Sequence, residues 1–490
     1  MTEQESVQGI NSTKDKILLL VFLFTPCLLI SQTLNNDIWF ILNNGRYVLQ
    51  HGIPYIEPFT LHQGMSYVMQ QWLASVIFWV MYSTFGTMGL TFVILLAFAG
   101  IIFTVFQLCM RISEENFLVS YAVSLALSIF ISLFMVQRPY IFLLLFIALE
   151  LYLLESYIIT RKSGYLIYLP LLSVLQINLQ AAMWPVLFVI LIPYIIDAFK
   201  FKLLFIKGQG YSKKALFTVI AVMLLVGFIN PYGVHGMTYL FTSYGYEEIS
   251  SSISEMLAPN INNALGMLIF GVMFCVTLLY CVYRKGKMKL RYVLLTIGTA
   301  IMTLSSIRSF SIFIICGLAP LAYYLKDLRL PSGKASPSGT STLLKKILII
   351  LICVSIVFCV YVKNRTAQKQ DLTMTLAGAV NYILENTDPG NIVLYTGYAE
   401  GGYAEFMGLK PYIDPRGDVF VKKNNLKDDI MREYFLLQKG NEFYRNVLDK
   451  YNFSHLIVSK KDILFTYLPH DEDYRVIYSN EDYKVFEEIK

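Results

Sequence analysis

Apolar residues along this chain gather in long unbroken runs with short polar connections, a pattern unlike the alternation of half-buried strands or amphipathic helices. Spanning a hydrocarbon core takes about twenty apolar residues. Runs of roughly that length occur at 17–34, 72–85, 88–110, 117–136, 140–160, 215–229, 265–283, 292–305, 310–324 and 347–362. A longer tract, 165–196, is interrupted near Asn178, Gln180 and Pro185. Counted as one net crossing, it brings the expected total to about eleven helices. The pattern changes near Asn364. A helix is expected over 376–384, and strands over 392–395, 456–459, 474–478 and 483–486. The expected fold is therefore a polytopic α-helical membrane protein with a C-terminal α/β domain. Its parts are a bundle (1–329) with a first extracytoplasmic loop (35–71), a linker (330–346) of Pro, Ser and Gly, a last membrane helix (347–362) and a soluble domain (363–490).

Composition agrees with this picture: 56% of the 490 residues are hydrophobic, only 15% are charged, and mean hydropathy is +0.55. An ordinary soluble domain is excluded. No small-residue cleavage site follows 17–34, which reads as a retained helix. All seven cysteines lie in apolar runs, so no disulfide framework is implied. Lysines and arginines cluster before the first run, at 200–214, at 284–291 and at 326–346. Because such residues are retained in the cytoplasm, about eleven crossings place these groups and the N-terminus inside. The first loop, the 231–260 stretch and the C-terminal domain then lie outside. The same parity puts Arg138 towards the cytoplasm and Arg161 with Lys162 on the side the charge rule disfavours. No polar region interleaves basic and aromatic residues, so nucleic acid is not an expected partner.

Chemistry concentrates in the loop between the first two runs. Asp37 precedes the segment IWFILNNGRYVL, whose pattern suits a helix at the membrane interface. It is either an N-cap, with Gly52 ending the helix, or a carboxylate able to act as a base or to bind a divalent ion. Glu57, between two prolines, is a second acid facing the same cleft or a solvated loop residue. Gln71 and Trp72 open the next run at the interface. Arg138 and Arg308 stand near the hydrocarbon, where an arginine needs a partner or a phosphate. Asn178 and Gln180 line a cavity or bond between helices. Glu255 is a third acidic candidate outside. In the C-terminal domain, Asp414, Arg416 and Asp418 form a structural Asp–Arg network or a sugar-binding group. No zinc-protease, nucleophile-elbow or P-loop motif is present.

Taken in order, these positions resemble a bacterial family within the GT-C superfamily of integral membrane glycosyltransferases. The resemblance rests on Asp37, Trp39, Gly45, Arg46, Gly52 to Pro54, Pro58, Phe59 and Trp72 in the first loop. It continues through Arg138–Pro139, Asn178–Leu179, 230–233, Glu255, Pro259, Arg308, 401–403 and 413–416. It implies transfer of a sugar from a polyprenyl-phosphate carrier to a cell-envelope glycan or glycolipid, at a multi-pass cell membrane. By resemblance Asp37 is the essential acid, supported by Glu57, and Arg308, with Arg138, binds the carrier phosphate. No cofactor is required for certain, though a divalent metal at Asp37 is compatible. The chain departs from the family where a histidine is expected after Trp39, where Gln71 replaces an acid, and where Gln180 replaces a histidine. These departures keep two alternatives open: a non-catalytic sugar-binding subunit of an envelope-synthesis complex, and a transporter of lipid-linked sugar.

Overall fold

The computed structural model describes residues 13–30, 34–199, 202–203, 206–243, 255–283, 288–328 and 373–489. The linker (330–346) and last apolar run (347–362) expected from the sequence lie outside these residues. The described helices of the first part are α1 (Thr13–Leu23), α2 (Ile38–His51), α3 (Trp72–Phe85), α4 (Thr87–Ile112), α5 (Phe117–Ile131), α6 (Tyr140–Thr160), α7 (Tyr168–Leu179) and α8 (Trp184–Asp197). They continue with α9 (Lys213–Val226), α10 (Val234–Ser243), α11 (Ala264–Tyr283), α12 (Leu290–Ser305) and α13 (Ile307–Tyr324, with a π-helical turn at Ile314–Leu318). Five of these segments are long and apolar enough to cross a membrane: α4, α5 extended to Phe134, α6, α11 and α13. This is a mostly helical, multi-pass membrane protein.

Side-chain contacts tell which helix ends lie together. At one end, Lys326 pairs with Glu114 after α4, Lys16 sits over Phe117 at the start of α5, and Arg291 pairs with both Glu155 of α6 and Asp197 of α8. At the other end, Asp37, Arg138 and Glu255 meet. Two sequence expectations are corrected by this arrangement.

The run 72–85, expected to cross, forms a helix of 14 residues, shorter than the five long apolar segments. Its helix α3 lies alongside α2 at the Asp37 end, where Trp79 and Tyr82 pack on Phe406 of the C-terminal domain. Gly45 makes this possible, since a Cβ there would stand 2.1 Å from the Ser75 carbonyl oxygen. The tract 165–196, expected to cross once, folds back on itself. α7 leaves the basic end after Thr160, breaks at Gln180, and α8 returns to that end at Asp197. Reversal brings Trp184 Nε1 within 2.7 Å of Ser173 Oγ, eleven residues earlier in the chain.

Arg138, expected with the cytoplasmic lysines, stands instead beside Asp37, and Arg161 joins the basic end. Hydropathy registers an apolar surrounding but not a direction of travel, which is why both segments misled.

The C-terminal part packs helix α14 (Thr373–Asn386) on a mixed sheet of β1 (Leu394–Thr396), β2 (His455–Ser459), β3 (Tyr474–Ser479) and β4 (Tyr483–Glu488), in the order β1-β2-β4-β3. β1 and β2 are parallel and the other pairs antiparallel. The short helix α15 (Gly401–Phe406) presses against α2, a Cβ built on Gly402 lying in contact with Phe40 at 3.6 Å, while Gly401 gives room to the Ile413 carbonyl oxygen, which would stand 1.8 Å from a Cβ there. The domain thus sits directly over the first loop.

Candidate active site

Asp37 occupies the N-cap position of α2 but makes no capping bond. Its backbone N–H donates to Asn35 Oδ1 at 3.0 Å, and its carboxylate turns to Arg138, Oδ2 lying 2.7 Å from Nη2. Gly52 ends the helix with φ of 84°, a value that favours glycine. The other guanidinium nitrogen of Arg138 reaches Glu255 Oε2 at 2.5 Å. Glu255 is fixed in turn by its own backbone: its carbonyl accepts from the Arg308 N–H at 3.1 Å and from Ser306 Oγ at 3.0 Å. The Arg308 guanidinium lies over the Tyr140 ring at 4.6 Å. Four residues scattered over 270 positions therefore converge, and they line one cavity of about 220 Å³ with Gln71, Gln180 and residues of the C-terminal domain.

The two carboxylates sharing Arg138 are pushed in opposite directions. Burial raises the Asp37 carboxyl above the usual aspartate range, with Arg138 opposing and Glu255 adding to the rise. Burial also acts on Glu255, but Arg138 and Arg308 outweigh it and hold that carboxyl below the usual glutamate range. Asp37 is thus the better proton acceptor of the two, and Glu255 remains a fixed anion. Among the described residues no group of three or more His, Cys, Asp or Glu side chains is placed to hold a metal ion. Asp37 and Glu255 are spanned by Arg138 instead.

The remaining sequence candidates separate. Gln71 and Gln180 line the cavity, as do Arg416 and Asp418. Burial pushes the Asp418 carboxyl up to about 7. Trp39 is packed among Tyr82, Tyr403 and Phe406. Trp72 donates to Asn178 Oδ1 at 3.0 Å, and both belong to an apolar hollow next to the cleft. Glu57 does not line the cleft. It is 3% exposed and accepts from the backbone N–H of Phe59 and Thr60 and from Thr60 Oγ1, and it pairs with Arg416 at 2.8 Å. Arg416 also binds Asp414 at 2.5 Å and Glu405 at 3.2 Å. Asp414–Arg416 is accordingly a buried clasp between the first loop and the C-terminal domain, and only the edge of Arg416 reaches the cavity.

Sequence reasoning missed several cavity residues: Asn44 and Tyr67 from the first loop, Tyr239 of α10, and Tyr398 of the C-terminal domain. Asn44 follows one turn of α2 after Phe40 and Ile41, which share its face, so helical spacing from Asp37 was a usable signal. Tyr239 and Tyr398 carried none, because only the docking of their elements brings them over Asp37.

Fold and site together define a multi-pass, mostly helical membrane protein with a small C-terminal mixed sheet docked over a charged cleft. No protein-family model matches the chain, and no curated protein matches it by sequence. Among solved structures it is similar to ArnT from Cupriavidus metallidurans bound to undecaprenyl phosphate (12% identity, TM-score 0.58), over 97% of this chain and 98% of that one. It is also similar to the Archaeoglobus fulgidus oligosaccharyltransferase. The form tethered to an acceptor peptide matches at 12% identity and TM-score 0.66, and the apo form at 11% and 0.63, each over 91% of this chain and 69% of that one.

Proposed function

We propose that this protein transfers a sugar from a polyprenyl-phosphate carrier to a hydroxyl of a cell-envelope glycan or glycolipid. The observation that carries the reading is the convergence of Asp37, Arg138, Glu255 and Arg308 on one cavity at the end of the bundle opposite Lys16, Arg291 and Lys326. The fold shared with a protein that binds undecaprenyl phosphate supports it. With the run 347–362 added, about eleven crossings again result. Retention of the lysine clusters in the cytoplasm then places the cleft and the C-terminal domain outside.

In this mechanism Asp37 accepts the proton of the acceptor hydroxyl as its oxygen forms a bond to the anomeric carbon. The bond from that carbon to the carrier phosphate breaks, and the electron pair leaves with the phosphate. Arg308 and Arg138 stabilise the negative charge that the leaving phosphate gains. Glu255 keeps Arg138 in place. Glu57, placed beside Asp37 by resemblance, supports the site through Arg416 instead of through the substrate.

The test is transfer by purified protein supplied with a polyprenyl-phosphate sugar and an envelope acceptor. Asp37→Asn is expected to reduce transfer by about a hundred- to ten-thousandfold, in protein shown to be folded by its circular dichroism. Equal transfer by the variant removes Asp37 from the mechanism.

A second reading draws on Gln71 and Gln180, amides lining the cavity where the resemblance leads one to expect an acid and a histidine. It makes the protein a sugar-binding subunit without turnover. Donor binding with no transfer to any acceptor, in wild type as in Asp37→Asn, is its signature.

A further inference from the structure

Two polar hollows run along the seam where the first loop meets the C-terminal domain, on the side of α2 away from the cleft. One, of about 350 Å³, is lined by Asn43, Arg46, Tyr47, Gln50, Phe59 and Glu405. The second, also about 350 Å³, is lined by Thr60, His62 and Gln63 among others. Both include Pro58 and Lys410, so they adjoin along the seam as a groove in two parts.

Its chemistry is graded from floor to rim. The acids are withdrawn into the floor. Glu57 is saturated by Arg416 and by its own loop, whereas Glu405 accepts from Arg416 through Oε2 and lies beside the Asn43 side chain. Burial pushes the Glu405 carboxyl well above its usual range; Arg416 opposes this, while Asp414 and Glu57 add to it. The charges that face outward are cationic. Arg46 donates to Asn43 Oδ1 at 2.6 Å and to the Phe406 carbonyl at 2.7 Å, and stacks over the Phe406 ring at 4.9 Å, which fixes it in the wall. Lys410 is exposed on the rim. Amides at Asn43, Gln50 and Gln63 can donate and accept together, as sugar hydroxyls require. Tyr47 and Phe59, edge to face at 5.1 Å, add an aromatic surface.

We infer that this groove binds an extended, hydroxyl-rich glycan chain carrying negative charge: the part of the acceptor remote from the reacting hydroxyl. The inference rests on the transferase reading for its role, though not for the binding itself. Asn43 and Asn44 are neighbours on α2, the first lining the groove and the second the cleft. The groove and the cleft therefore share α2 as a common wall.

The test uses the full chain in nanodiscs, titrated with an oligogalacturonate and with a neutral malto-oligosaccharide of equal length. The oligogalacturonate is expected to bind more tightly, in a salt-sensitive manner. Lys410→Glu is expected to weaken it about tenfold and Gln50→Ala about threefold, with Asp37→Asn binding like wild type. No binding by wild type, equal affinity for the neutral chain, or an unaffected Lys410→Glu variant each overturns the inference. Failure of the transferase reading is separately visible: transfer would be absent or insensitive to Asp37→Asn while Lys410→Glu still weakened oligogalacturonate binding.

Discussion

Replacing Arg138 by glutamine removes the cation shared by Asp37 and Glu255 while keeping similar volume. Two contacts are lost, at 2.7 and 2.5 Å. Unit charges about 4 Å apart near a protein surface attract by about 4 kcal/mol. The Glu255 side chain is 42% exposed, so solvent reduces that contact to no more than about 1 kcal/mol. The Asp37 contact is more enclosed, with side chains 22% and 28% exposed, and breaking such a pair costs about 3 kcal/mol. If most of that interaction serves the leaving phosphate and the base, kcat/KM falls about a hundredfold.

The pH profile gives a sharper signature than the rate. Asp37 must be ionised to accept a proton, so activity is lost as pH falls through its pKa. Arg138 lowers that pKa. Its removal raises it, and the acid limb of kcat/KM therefore moves to higher pH. The assay is the initial rate of labelled-sugar transfer from pH 4 to 8, with melting temperature as a check on folding. A variant retaining kcat/KM within threefold and an unmoved acid limb would refute the pairing of Arg138 with Asp37 as part of the mechanism.

Other outcomes follow from the packing around the cleft. Gly45→Ala places a methyl group against the Ser75 carbonyl and is expected to force α2 from α3, lowering stability by about 2 kcal/mol or more and reducing transfer through displacement of Asp37; thermal unfolding and activity report both. Glu57→Ala opens the clasp on Arg416, at a cost of about 3–5 kcal/mol, and limited proteolysis should release the C-terminal domain faster. Burial raises the Glu400 carboxyl to about 7. For an acid whose folded pKa lies above its unfolded value, stability is fully present below the unfolded pKa and is lost as pH rises through the folded one. The melting temperature should thus decline between about pH 4.5 and 7, and Glu400→Gln should flatten that decline.

Much of the architecture was legible along the chain. The break near Gln180 was visible, and Asp37, Glu255 and Arg308 were all singled out. Their roles as a set were not. Asp37 reads equally well as a cap until its carboxylate is seen to reject the helix for Arg138. Glu57 looks like a cleft acid because it is near Asp37 in sequence, yet two backbone N–H groups and Arg416 turn it inward.

The sequence by itself determined that the chain enters a membrane, where its polar loop falls and which residues have chemistry to offer, because hydrophobicity and residue type are local properties. Tertiary structure alone decided that α3 lies along α2 and that α7 and α8 form a hairpin. Those two choices go with Arg138 standing beside Asp37 and away from Lys16 and Lys326. Direction of travel depends on what each apolar surface finds to pack against, here Gly45 against Ser75 and Trp184 against Ser173, contacts between residues far apart or reversed along the chain. The pairing of Arg138 with Asp37 exists only once that packing is made.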